Sequence, residues 1–368
     1  MLSVASGHPG ALHHAHAMTA RAARTATPAA QTMNMNSDAM SPNAAPTDMT
    51  QVTGGGLVNV PAAPVYSDVT ALQSAASANN LVVFLSQFEA LAGSNASTQQ
   101  LALSILNDSR NVDMAMDNFA GGIAVTLPGN VVGNDAVLAQ QMIAAQKVGN
   151  VDQAYSSLIV QAEASLVNQV SQLATSAQDA SIRAFAAGIL PTVQADLAAA
   201  QGTGTLAPVG STPYSSTLDA SDLNTLSTYY AINVMEVFLA QITLLVTKPS
   251  SIALYSAKLI GDHEQGAVVL GDYAASTGTY LPAAIPAGNA SMADAVVAAT
   301  RTIRPRSTAR YNQVYLNQMI MGHTDAFKFT SQVIGTSQNP TLKQFALNVQ
   351  PTIYMHLISA KTLRRVSN

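Results

Sequence analysis

Three histidines in this chain of 368 residues are placed where they could act together. His263, His323 and His356 each fall in the middle of a different helix-forming stretch, and a fourth such stretch carries Glu236. At a helical rise of 1.5 Å per residue, Glu236 and His263 lie roughly 11 and 15 residues from the turn they share, and His323 and His356 roughly 14 and 17 from theirs, so the four fit one layer of a bundle within about 6 Å. Three imidazoles and a carboxylate facing inward suit one Fe, Mn, Zn or Cu ion in a nitrogen and oxygen site. A di-iron carboxylate centre needs Glu-x-x-His on two helices. Here Ile260, Ile320 and Ile353 stand three residues before the histidines, so that chemistry is not expected. The competing reading of the same four residues is a buried network that satisfies its own hydrogen bonds.

The elements that must hold these side chains come in two copies. Asn107-Asp108-Ser109 aligns with Gly261-Asp262-His263, Phe119 with Tyr273, and Leu127-Pro128 with Leu281-Pro282. Further on, Tyr155 aligns with Tyr315, Phe185 with Phe345, and Pro191-Thr192 with Pro351-Thr352. The offset grows from 154 to 160 residues, which puts an insertion in the middle connection. Repetition at this length marks a duplicated domain. Each copy reads as four main helices. In the second copy Ser221 can cap a helix to about Val246, Ser250 or Ser251 starts the next, a third runs from about Ser307, and Asn339-Pro340 opens the fourth. Pro191 and Pro351 are expected to kink the fourth helices. Two helical hairpins joined by a longer crossover make a four-helix bundle. The first copy carries Val82, Ser109, Glu163 and Asp196 where the second has Glu236 and the three histidines, so it is expected to hold no metal.

The fragments Glu236, Gly261-Asp262-His263, Gly278 with Leu281-Pro282, His323, and Gln350-Pro351 through His356-Leu357 together resemble the bacterial ferritin-like family known as domain of unknown function 4142, often labelled "predicted outer membrane protein". The resemblance covers both copies. It implies an all-α chain of two tandem ferritin-like four-helix bundles in the bacterial envelope, and it implies no settled activity. The expected organisation is an extended low-complexity N-terminal arm over 1–64, a first bundle over 65–203, a linker over 204–219 and a second bundle over 220–368.

Composition narrows the functions. Only 10% of residues are Asp, Glu, Lys or Arg, and the net charge of −4 offers nucleic acid no electrostatic footprint. With no cysteine there is no disulfide, thiolate site or cysteine nucleophile. No P-loop, dinucleotide fingerprint or Gly-x-Ser-x-Gly elbow occurs. The N-terminus shows no signal-peptide pattern, and the apolar run from Tyr229 to Val246 carries Asn233, Glu236 and Gln241, so no transmembrane segment is expected. The arm holds His8, His13, His14 and His16 with Met33, Met35, Met40 and Met49, residue types that suit copper. Arg301, Arg304, Arg306 and Arg310 could dock lipid head groups or an acidic partner.

Two functions follow as expectations. The first is a non-catalytic structural or accessory subunit of an extracytoplasmic, periplasmic complex, membrane-anchored and bioenergetic in one form, docked to other protein subunits through the arm and the low-charge bundle surfaces; it requires no cofactor. The second is a metal-binding or oxidoreductase protein using Glu236, His263, His323 and His356.

Overall fold

The computed structural model describes residues 64–206, 216–248, 250–304 and 307–367. The N-terminal arm, with its histidines and methionines, and most of the linker lie outside the described residues. The rest is all-α, and repulsion-free apolar faces explain why. Each long helix carries a stripe of Leu, Ile, Val and Ala that must be buried against another helix.

The first copy contains α1 (Tyr66–Ala92), α2 (Ala96–Gly122), α3 (Gly133–Val148), α4 (Val151–Ser176) and α5 (Ala180–Ala200). The second contains α6 (Ala220–Val246), α7 (Ser251–Ser276), α8 (Ala287–Ala299), α9 (Ala309–Thr336) and α10 (Pro340–Val366). In each copy the first two and the last two helices pair as hairpins, α1 with α2, α4 with α5, α6 with α7 and α9 with α10. Local chemistry fixes the ends. Asn95, Asp179 and Asn339 each accept backbone N–H bonds from the first turn that follows, and Pro340 occupies the opening turn of α10. The start of α6 corrects the sequence reading by two residues, because Asp219 rather than Ser221 is the cap, its carboxylate accepting from Asp222 N–H at 2.8 Å. Pro191 and Pro351 stay within α5 and α10 and face outward.

The crossovers are also corrected. Each contains a fifth helix, α3 or α8, where the sequence suggested four main helices and a longer crossover. The six extra residues of the second copy fall after a single 3-10 turn (Thr300–Thr302), where a tight bridge joins Arg304 and Ser307.

These crossover helices join the two copies. α3 packs on α6, α8 packs on α1, and α2 meets α7. The arrangement is reciprocal. Gln241 donates to the Gly129 carbonyl at 3.1 Å, while Gln87, its counterpart 154 residues earlier, accepts from Ile285 N–H at 3.3 Å. Phe84 and Phe238, also counterparts, meet with ring centroids 5.6 Å apart. Equivalent residues touching each other is the property of an isologous, two-fold interface, reproduced here within one chain. Consequently α1 and α6 are buried on nearly all sides. α6 is long and apolar enough to cross a membrane, and most of that apolar window is covered by its neighbours in the bundle. Arg301 takes part in the same junction, donating to the Gln146 carbonyl on α3 at 3.1 Å.

Candidate metal centre

The second bundle brings His263 from α7, His323 from α9 and His356 from α10 to one point, with one nitrogen of each within 4.8 Å of the others. All three rings are buried. Their centroids lie 5.2 to 5.7 Å apart and none stacks on another.

Each ring is held by a bond on its outer nitrogen. Asn233 Nδ2 donates to the Tyr229 carbonyl at 2.8 Å, which fixes the amide and turns its oxygen toward His263. His263 Nδ1–H therefore donates to Asn233 Oδ1 at 2.9 Å. Gly266 makes this approach feasible, because a Cβ there would stand 2.6 Å from the same oxygen. His323 Nδ1–H donates to the Met319 carbonyl at 2.8 Å, the preceding turn of its own helix. His356 Nε2–H donates to the Asp262 carboxylate at 2.7 Å, and Tyr255 holds the backbone of the same residue by donating to its carbonyl at 3.3 Å. Asp262 also accepts from Lys258 at 2.7 Å; despite the opposing effect of burial, these bonds and charges hold its carboxyl below the ordinary range, so it is ionised and only accepts.

With one nitrogen of each ring spent as a donor, the remaining three, His263 Nε2, His323 Nε2 and His356 Nδ1, carry lone pairs. His323 Nε2 and His356 Nδ1 face each other at 3.2 Å, and His263 Nε2 is buried with no partner. Burial lowers all three imidazoles from their ordinary range, reinforced by neighbouring rings at His263 and at His323, the latter falling to about 4; at His356 burial outweighs the opposing pull of Asp262. They are neutral at pH 7, the form that binds metal. A tetrahedral ion at about 2.1 Å from each nitrogen sets them about 3.4 Å apart, close to the spacing found between His323 and His356. The outer bonds to a carboxylate, an amide oxygen and a carbonyl are the supports that orient ligating histidines.

Glu236, expected from the sequence as a fourth ligand, is not brought to this point. Its Oε1 lies 3.7 Å from His323 Nδ1, the outer nitrogen, and its other oxygen is buried without a partner. Burial raises its pKa to about 8, so it is a neutral acid beside the centre. Asp262 and Asn233 are the functional residues the sequence reading passed over as ligand supports. Their signals were present, since Asp262 directly precedes His263 and Asn233 is a polar residue inside an apolar helix. A cleft of about 300 Å³ opens onto the three rings, walled by Tyr229, Phe345, Val349 and Ile353 with Asn348 and Thr352 among its polar groups.

The first bundle builds something different at the matching positions. Asn79, at the position of Asn233, bonds differently, its amide donating to the backbone carbonyl of Ser109 at 3.1 Å, and Ser109 stands where the second copy has an imidazole. Glu163 and Asp196 are buried, and neither oxygen of Glu163 has a hydrogen-bond partner. Asp108 lies against Asp196. Burial and the neighbouring acids push Asp196 up to about 8 and Glu163 well above its ordinary value, so this copy keeps protons where the second keeps lone pairs.

A family model described as "Domain of unknown function (DUF4142)" matches the chain twice, over residues 58–203 and 207–363. The chain therefore belongs to that family, in tandem. No curated protein matches it, and no solved structure does.

Proposed function

We propose that this protein is a mononuclear metalloprotein, its ion bound by His263 Nε2, His323 Nε2 and His356 Nδ1 in the second bundle. The observation that carries this reading is the proton accounting. Three fixed acceptors take the three N–H groups, leaving three lone pairs with no donor among them, two of which face each other at 3.2 Å. A cation removes that conflict, and the low basicity of the buried rings favours a metal over a proton. Three neutral ligands suit Zn, Cu, Fe or Mn, and they leave a position open to the cleft. A small molecule entering the cleft would bind there, which is the layout of catalytic and ligand-binding centres. The first bundle serves as scaffold. Elemental analysis of the purified protein should give about one ion per chain, and His356→Ala should abolish it; full metal content in that variant would overturn the site.

A second reading, the accessory subunit of an extracytoplasmic complex, has its own support. Leu347, Tyr354 and Ile358 form an exposed apolar stripe along α10, with Met355 beside it. Exposed apolar rows of this kind mark protein contacts. If a partner chain co-purifies in fixed stoichiometry, Tyr354→Glu with Ile358→Glu should release it. Both readings keep the placement in a bacterial envelope that the family resemblance implies.

A further inference from the structure

A second cleft, of about 570 Å³, lies between α6, α8 and α9 and shares Glu236 with the cleft that reaches the histidines. Three methionines line it: Met235 from α6, Met292 from α8 and Met321 from α9. Methionine in a helical protein ordinarily fills irregular gaps in an apolar core. Two features here differ from that use. Met321 is 55% exposed, so it fills no gap. Met292 shares its place with an ionisable group: a Cβ on Gly322 would stand 3.2 Å from Met292 Sδ and 3.2 Å from Glu236 Oε1, so thioether and carboxyl both close on the bare backbone of Gly322. A larger residue at 322 would crowd both. The wall of the cleft adds Asn289, Ser291 and Asp325, a polar rim that water and ions can enter.

Thioethers are weak ligands for hard divalent ions and good ones for Cu(I), which accepts two or three soft donors and tolerates irregular geometry. We propose that this cleft is a Cu(I) site, with Met292 and Met321 as thioether ligands and Glu236 as the adjoining carboxyl. Binding involves no change of oxidation state; the ion exchanges water or a carrier ligand for thioether sulfur. The site is chemically distinct from the three-imidazole centre and does not depend on it, although Glu236 lines both clefts.

The test loads the full-length protein with Co²⁺, whose visible absorption reports the imidazole centre, and then adds one equivalent of Cu(I) without oxygen. Copper-edge X-ray absorption should show sulfur scatterers while the cobalt absorption is retained. The Met292→Leu/Met321→Leu variant, a volume-conserving change, should lose those sulfur scatterers and keep both its helical circular dichroism and its cobalt absorption. Copper with only nitrogen or oxygen neighbours in the wild-type protein overturns the site. Sulfur scatterers that persist in the variant also overturn it, since the copper then sits on other methionines, such as those of the N-terminal arm. If Co²⁺ fails to bind at all, the imidazole centre is refuted, and the sulfur signal still decides the methionine cleft.

Discussion

The side chain of Asp262 bonds the ring of His356, and through that one bond it controls the centre. Its carboxylate takes the Nε2 proton and so decides that Nδ1 is the nitrogen offered inward. Losing such a support lowers metal affinity by about 10- to 100-fold, and Asp262→Ala should do so in a competition titration against a coloured chelator, with one ion per chain still bound at saturation. Asn233→Leu should act in the same direction, because it frees the His263 ring to take the other tautomer. At this scale the sequence disclosed which histidines meet better than how they meet. Three mid-helix histidines on three helices were enough to place the nitrogens in one layer. Glu236 shows the limit of spacing alone: it shares that layer, but its carboxyl meets His323 from behind. Which side of a ring a neighbour reaches depends on helix rotation by a fraction of a turn, and sequence separation does not encode that.

Among the elements, the hairpins were legible because their caps and stops are local, as at Asn95, Asp179 and Asn339. The crossover helices α3 and α8 were not. They are short and Ala-rich, and their reason for being helical is the other bundle, which lies far away in sequence. The buried acids of the first copy give the bundle a pH dependence. Glu89, beside Asp152, and Asp196 both have pKa values raised to about 8, mainly by burial, against about 4 in the unfolded chain. Between those values the folded protein holds more protons than the unfolded one, so stability falls as pH rises, at about 1.4 kcal/mol per pH unit for each proton retained. The lowered imidazoles act oppositely, but only below about pH 6.5, where unfolded histidine protonates. From pH 8 down to 6.5, therefore, the thermal midpoint should rise. Asp196→Asn should raise the midpoint at pH 8 and flatten this slope, as followed by circular dichroism melts; an unchanged slope would mean that Asp196 is ionised in the fold.

At the scale of the whole molecule, the chain is an internal pseudo-dimer. Phe84, Phe88 and Phe238 cluster at its centre, and the paired glutamines tie each copy to the crossover of the other. Held this way, the halves should not need their linker. After cleavage at a protease site introduced within residues 207–215, the two fragments should still migrate as one species in size-exclusion chromatography. Phe238→Ala, which empties the core of this junction at a cost of about 3–5 kcal/mol, should let them separate. The duplication also explains how one copy could specialise: α6 to α10 carry the imidazoles, while α1 to α5 keep the scaffold and fill the same layer with protonated carboxyls. The most direct measurement of the central claim is an anomalous-difference map from crystals of the metal-loaded protein, collected at the edge of the bound metal. One peak within bonding distance of His263 Nε2, His323 Nε2 and His356 Nδ1, with Asp262 and Asn233 still on the outer nitrogens, is the expected result. No peak at that point, or one bound through the opposite nitrogens, would contradict the account.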